Sequence, residues 1–213
     1  MNFSAPTQAL RDLFETAALP DTACAEVTRR MSAEGRHYHD LAHLEVLWAR
    51  NRQFTAGTEF STPSRLRLIA CAVAFHDVVF DTTRDDNEHV SATVWRSMAP
   101  NGLTPSDIDW VAETIEATAD HLQPVETDSA GGRLRLWMLD LDLTPLGEAP
   151  EVFAYNTLAL RAEYAHLSEA EWDRHRLCFL HKLDTAPVIY RCPAFHAVFE
   201  QPARRNIAAD LAR

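Results

Sequence analysis

The sequence is poor in the residues and motifs that mark several common protein classes. It contains six glycines in 213 residues, and none of them forms G-x-G-x-x-G or G-x-x-x-x-G-K-[ST]. Neither a dinucleotide-binding turn nor a P-loop is therefore predicted. The G-x-S-x-G pattern of many esterases is also absent. The four cysteines are far apart and include no C-x-x-C pair, so we expect reduced core thiols rather than a disulfide framework or a thiolate zinc site.

Long apolar runs and basic clusters are also missing. No stretch approaches the roughly 18 apolar residues that a membrane span needs, and the first residues lack the basic start and apolar core of a secretion signal. The formal net charge is -11, which argues against nucleic acid as the main partner. We therefore expect a cytoplasmic protein that binds neither a membrane nor nucleic acid.

The residues that are present suffice for a sizeable core, mostly at helical spacing. Hydrophobic residues make up 46% of the chain, and segments such as 4–18 and 193–213 place them three and four positions apart. The exception is 134–143, where leucines alternate with acids as in a strand. No linker divides the chain, so the sequence predicts one all-α domain over residues 1–213, a helical bundle.

A His-Asp pair follows an uncharged segment near the middle of the chain. Residues 68–75 carry no charge, which predicts a buried helix that continues to Phe80. His76 and Asp77 interrupt its apolar pattern, and a buried charge needs a partner or a metal. The plainer interpretation is that the two side chains only cap the helix or pair locally where it reaches the surface.

Further histidines and acids occur at similar transitions between apolar and polar residues. If His39 and His43 are both helical, their side chains share one helix face. If only His43 is helical, His39 can still reach the same cleft. His121 ends a predicted helix, and Asp140 and Asp142 close the alternating segment. Imidazoles and carboxylates from different helices can converge on one divalent ion, so this order of residues predicts a metal site.

The combined pattern resembles the HD superfamily of metal-dependent phosphohydrolases, and in particular a small bacterial branch of predicted HD phosphohydrolases. The resemblance covers nearly the whole chain. Its three main motifs are Arg36-His37-Tyr38-His39-x-x-x-His43, Phe75-His76-Asp77-x-x-Phe80-Asp81 and Asp140-x-Asp142-Leu143-x-x-Leu146-Gly147. Further similarities are Asn87-Glu88, Arg161-x-Glu163-Tyr164, Arg176, Ile189-Tyr190 and Ala203-Arg204-x-Asn206.

The resemblance implies an HD-type bundle that binds one or two divalent metal ions, of Mn, Fe, Co, Ni or Zn. The implied ligands are His43, His76, Asp77 and Asp142, with His121 and Asp140 as second candidates. Asp77 would also orient an attacking water, and His39 would protonate the leaving group. The residues expected to bind the substrate are Arg36, Asn87, Glu88, Arg161 and Arg176.

The expected function is hydrolysis of a phosphate ester, either a monoester or a diester, in a small phosphorylated metabolite or nucleotide. The oligomeric state is left open, with a homo-oligomer as one option. A metallopeptidase is a competing hypothesis, because residues 39–43 resemble H-E-x-x-H with Asp40 in place of Glu, but it leaves His76 and Asp77 unexplained. Two more hypotheses are a non-catalytic protein that binds a metal or a nucleotide, and an HD-type di-iron oxygenase.

Overall fold

The structure is a computed structural model that describes residues 7–212. Over this range the chain forms ten α-helices and three short 3-10 turns, without a β-strand. None of the helices in residues 7–212 combines the length and the apolar character needed to cross a membrane. In chain order the helices are α1 (Gln8–Ala17), α2 (Asp21–Met31), α3 (Leu41–Thr55), α4 (Pro63–Phe75), α5 (Asn87–Met98), α6 (Pro105–Ala117), α7 (Ala130–Asp142), α8 (Pro150–Glu163), α9 (Glu169–Thr185) and α10 (Pro193–Leu211).

The all-α prediction is confirmed, and it holds for the segment 134–143 as well. The strand-like alternation there was misleading, because residues 134–142 are the body of α7 and Leu143 is its C-cap. The helix begins at a cap in which Ser129 Oγ accepts a hydrogen bond from the Gly132 N–H at 3.0 Å. Its buried leucines include Leu139 and Leu141, and a helix buried on more than one side need not keep the spacing of an amphipathic helix.

Several helix ends differ from the prediction. The helix expected to end near His121 is α6, which ends at Ala117 and is followed by a 3-10 turn. α4 ends at Phe75 rather than at Phe80, and His76 is its C-cap residue, with its N–H donating to the Ala72 carbonyl at 2.9 Å. α1 begins at Gln8, after Thr7, whose Oγ1 accepts from the Leu10 N–H at 3.2 Å. Residues 4–6 of the predicted first helix lie outside the described residues.

The helices belong to two compact units. Among the described residues, the first contains 7–34 together with His39–Ala119, and therefore α1 to α6. The second contains Gly35–Tyr38 and residues 120–212, and therefore α7 to α10. The single-domain assignment stays a prediction.

α4 is the central helix of the first unit. It packs against α1, α3, α5 and α6, and every residue from Ile69 to Phe75 is fully buried. The Phe75 ring meets Trp95 of α5 edge to face, with centroids 5.3 Å apart, and the Trp95 indole N–H donates to the Ile108 carbonyl at 2.9 Å. The His-Asp pair therefore follows the end of a fully buried helical segment.

In the second unit, α10 packs against α9 and against the 3-10 turn Thr144–Gly147. Trp137 of α7 and Phe195 of α10 lie with ring centroids 4.4 Å apart. The buried Tyr190 donates its hydroxyl to the Leu143 carbonyl at 2.7 Å. These contacts form the apolar centre of the unit.

A buried carboxylate organises the turn before α10. Glu200 accepts the N–H groups of Ile189 and Tyr190, each at 3.0 Å, and a hydrogen bond from Arg204 Nε at 2.9 Å. The Arg204 guanidinium also donates to the carbonyls of residues 183, 184 and 186 at the end of α9. The Asn206 amide donates to two carbonyls near the start of α8. These hydrogen bonds connect elements within the second unit. They involve several motif residues near the end of the chain, namely Ile189, Tyr190, Arg204 and Asn206.

Candidate metal centre

Three ligating side chains meet in the first unit. His43 lies in the first turn of α3, whereas His76 and Asp77 follow the last residue of α4. The Nε2 atoms of His43 and His76 are 3.3 Å apart. Asp77 Oδ2 lies 3.0 Å from His76 Nε2 and 3.7 Å from His43 Nε2. The three residues form a group that could hold a metal ion.

The spacing of these three atoms suits one first-row divalent ion. The equidistant point in the plane of the three atoms lies about 2.0 Å from each of them, close to the bonds of roughly 2.0–2.2 Å that Zn makes to nitrogen and oxygen. Both imidazoles are buried, and the Asp77 side chain is 15% exposed. A cation would offset the cost of holding this carboxylate in a buried place. Two imidazoles and a carboxylate suit Mn, Fe, Co, Ni or Zn better than Ca.

A hydrogen bond determines which nitrogen of His76 faces the other donors. His76 Nδ1 lies 3.0 Å from the carbonyl oxygen of Val73. Because a carbonyl only accepts hydrogen bonds, Nδ1 carries the proton, and the neutral ring presents an unprotonated Nε2 to His43 and Asp77. Metal-binding histidines usually donate their second ring N–H in this way. His76 is therefore held in the tautomer that a ligand requires.

His39 lies next to this group but outside α3. Asp40 is the N-cap of α3, and its Oδ1 accepts from the N–H groups of Ala42 and His43 at 2.8 and 3.2 Å. Of the two arrangements expected for the first motif, the structure thus has the one with only His43 inside the helix. His39 Nε2 is 3.9 Å from Asp77 Oδ2, so the ring stands beside the carboxylate on the partly exposed side of the group.

The turn that carries the His-Asp pair is held by α5. The buried Ser91 Oγ accepts from the Val79 N–H at 3.0 Å and donates to the Val79 carbonyl at 3.2 Å. Asn87, a predicted substrate-binding residue, uses its amide to bond both the N–H and the carbonyl of Asp81, at 2.9 and 3.0 Å. Glu88 is half-buried in the first turn of α5. Substrate binding by Asn87 and Glu88 stays a prediction.

We expect Ser91→Ala to loosen this turn and weaken metal binding. The substitution leaves the N–H and carbonyl of Val79 without their partner, which costs about 1–3 kcal/mol of unfolding free energy. Displacing the ligands that precede Val79 should weaken the affinity for Zn or Mn about tenfold. Urea unfolding and metal titration measure the two effects.

The matched control is Thr93→Ala, because the exposed Thr93 hydroxyl donates within its own helix, to the His89 carbonyl at 3.1 Å. It should leave both quantities close to those of the unaltered chain. Equal losses in the two variants would show that Ser91 has no special role at the turn.

The remaining predicted ligands lie in the second unit. Asp142 Oδ2 is 2.7 Å from His121 Nε2. Asp140, two residues earlier on α7, points to a different helix face; it is fully buried, and its Oδ2 accepts from the Cys192 N–H at 2.6 Å. Burial raises the pKa of Asp140 to about 6, partly offset by that N–H and by Arg191. Metal binding by Asp142, His121 and Asp140 stays a prediction.

The three predicted phosphate-binding arginines also belong to the second unit. Arg161 donates to the carbonyls of Tyr164 and Leu167 at 2.8 and 3.1 Å and to Glu169 at 2.8 Å, and thus closes the end of α8. Arg176 pairs with a buried aspartate of α10, Asp210. Arg36 is half-buried in the segment Gly35–Tyr38. A phosphate on Arg161 or Arg176 would compete with these contacts, and the role of all three stays a prediction.

Sequence reasoning left Glu163 without a role. Its carboxylate is buried, and Oε1 accepts the N–H groups of His37 and Tyr38 at 2.9 and 2.8 Å. It thereby fixes the backbone of the first motif at those two residues. The motif Arg161-x-Glu163-Tyr164 drew attention to Glu163 in the sequence. It could not indicate the contact with the first motif, because the two segments are more than 120 residues apart in the chain.

No protein-family model matches this chain, and neither the curated proteins nor the solved structures contain a significant match. The resemblance to the HD superfamily therefore rests on the sequence motifs.

Proposed function

We propose that this chain is a metal-dependent phosphohydrolase that acts on a small phosphorylated metabolite. The observation that carries the proposal is the buried group of His43, His76 and Asp77 with His39 beside it. A divalent ion in this group would lower the pKa of a bound water and neutralise charge on the phosphate. The three side chains supply two neutral nitrogens and one negatively charged oxygen. A divalent ion bound to them would therefore retain a net positive charge and open coordination positions for water and substrate.

The residues of the first unit have distinct parts in the proposed reaction. Asp77 orients the attacking water, and His39 gives a proton to the leaving oxygen. The water oxygen forms a new bond to phosphorus as the ester P–O bond breaks, and the proton that the water loses restores His39. An ester and a water are consumed, and an alcohol and a phosphate are formed.

The test is a turnover assay on protein loaded in turn with Mn, Co, Ni, Zn and Fe(II). The substrates are phosphate monoesters, phosphate diesters and nucleotides. We expect release of phosphate or of the alcohol with at least one metal, and loss of this activity on adding a chelator. His76→Asn is the inactive control, since an asparagine amide can still donate to the Val73 carbonyl but lacks the imidazole nitrogen. Absence of turnover with every metal and substrate would overturn the proposal.

A second candidate function is supported by the donor set itself. Two histidines and one carboxylate on one metal, with open positions, form the arrangement of non-haem Fe(II) oxygenases. Iron that binds in preference to the other metals, together with oxygen consumption and no ester hydrolysis, would favour this candidate. Bound metal with neither reaction would favour a non-catalytic metal-binding protein.

A further inference from the structure

The ring of Phe80 lies against the ring of His39 in a tilted arrangement. Their centroids are 4.0 Å apart and their planes are inclined by 31°. The edge of His43 approaches the same imidazole at 5.8 Å between centroids and 69° between planes. Because His39 precedes the N-cap of α3, its orientation is not set by helical backbone bonds. Ring contacts are therefore one means of holding this imidazole.

A face contact of this kind suits an imidazole that has to pass on a proton. Stacking restricts the tilt of the ring and leaves hydrogen bonding to the two nitrogens at its edge. The 3.9 Å between His39 Nε2 and Asp77 Oδ2 is too long for a hydrogen bond. Asp77 Oδ2 is thus an electrostatic neighbour of that nitrogen.

Phe80 follows a turn whose backbone is held by hydrogen bonds. The Val78 N–H donates to the Phe75 carbonyl at 3.2 Å, and Ser91 bonds both backbone groups of Val79. The aromatic ring thus follows directly after two anchored residues. A ring on a fixed backbone can restrict a neighbouring side chain that has more freedom.

We propose that Phe80 is a positioning residue, which holds the imidazole of His39 beside Asp77 in an orientation from which it can protonate the leaving group of a phosphate ester. The inference rests on the proposed function for its catalytic meaning. The contact itself belongs to the first unit and can be tested without a substrate.

The experiment compares Phe80→Leu, which removes the ring but keeps an apolar side chain, with Phe80→Tyr, which keeps the ring. The probe is diethyl pyrocarbonate, and peptide mass spectrometry gives the rate at which His39 is modified in Zn-loaded protein. We expect Phe80→Leu to raise this rate several-fold, on the order of the tenfold effect that losing an aromatic pair allows. Phe80→Tyr should restore the original rate. The exposed His89 is the internal reference and should react equally in all three proteins.

Metal content and turnover separate this inference from the proposed function. Zn content should stay unchanged in Phe80→Leu, because the three-residue group contains neither Phe80 nor His39. With a hydrolysed substrate in hand, kcat should fall about tenfold at constant KM and recover in Phe80→Tyr. If no ester is hydrolysed by any form, the proposed function fails, whereas faster modification of His39 would still support the contact.

Three results would overturn the inference. One is an unchanged modification rate of His39 in Phe80→Leu. The second is faster modification with an unchanged kcat, since the ring would then shield His39 without positioning it. The third is loss of Zn from Phe80→Leu, which would place the effect on the ligands instead of on His39.

Discussion

His76→Ala is expected to abolish metal binding by this chain. The substitution removes one of three donor atoms that lie within 4.8 Å of one another, and the loss of a direct ligand should weaken the affinity by more than the roughly 10–100-fold typical of outer-shell changes. Elemental analysis of protein purified without added metal should give about one equivalent for the unaltered chain. His76→Ala should carry almost none.

Ligand-induced stabilisation provides a second readout of the same change. Metal at about 100 times its Kd adds roughly 2.7 kcal/mol to the free energy of unfolding of a protein that binds it only when folded. The unaltered chain should therefore unfold at higher urea concentration when Zn or Mn is added. His76→Ala should show no such shift.

Two further variants serve as controls for this prediction: one replaces another histidine of the first unit, and the other replaces His76 by a different residue. His89→Ala removes an exposed imidazole that pairs with Glu116 on the neighbouring helix, and it should keep its metal. His76→Asn keeps a side-chain donor for the Val73 carbonyl. If it folds and also lacks metal, the loss of metal in His76→Ala does not result from misfolding. Metal retained in both substitutions of His76 would mean that the His-Asp pair is structural.

Asp142→Ala tests the fourth ligand that the resemblance implies. Loss of metal in this variant would support Asp142 as a ligand. Retention of metal in Asp142→Ala, together with loss in His76→Ala, would restrict the ligands to the first unit. The comparison therefore decides between the three-residue group and the larger predicted set.

Glu200→Ala is expected to have the largest effect on stability. It leaves the N–H groups of Ile189 and Tyr190 without an acceptor and removes the carboxylate that pairs with Arg204. Removing one partner from a buried charged network costs about 3–5 kcal/mol. Urea unfolding should show a large drop in midpoint, while the dependence on denaturant stays the same.

Two neighbouring substitutions show whether the effect is specific to this network. Glu200→Gln keeps one side-chain acceptor and should lose about 1–2 kcal/mol, less than alanine. Gln201→Ala changes an exposed residue of the same helix and should stay within about 0.5 kcal/mol of the unaltered chain. A loss below about 1 kcal/mol in Glu200→Ala would contradict the role given to this carboxylate.

The parts of the fold that the sequence predicted correctly depend on local patterns. Helical spacing of apolar residues is a property of a few consecutive residues, and so are the capping boxes that the structure shows at the starts of α9 (Ser168 and Glu171) and α6 (Thr104 and Asp107). The alternation of leucines and acids at 134–143 is also a local pattern. It indicates which side chains are buried, but it does not by itself determine whether the backbone is a strand or a helix. The segment lies in α7, where the consecutive residues 137–141 are all buried.

The candidate metal centre was predictable to a smaller extent. Histidine and aspartate at the end of an apolar segment identified His76 and Asp77, and the first motif identified His43. The structure brings these three together. The contact of Ser91 with Val79 left no signal of its own, because serine is a common residue with many roles. Phe80 belongs to the second motif, but the motif gave no indication of its contact with His39.

The sequence by itself determined that the chain is helical, and its larger set of predicted ligands includes His43, His76 and Asp77, the three residues that form a group that could hold a metal ion. Only the tertiary structure decided that α4 ends at Phe75, that His39 lies outside α3, and which carboxylates are buried hydrogen-bond acceptors. The physical reason is the separation of the interacting residues along the chain. Helical periodicity reflects contacts between residues three or four positions apart. The imidazoles of His43 and His76 are 33 positions apart in the chain, and only the packing of α3 against α4 places their nitrogens 3.3 Å from one another.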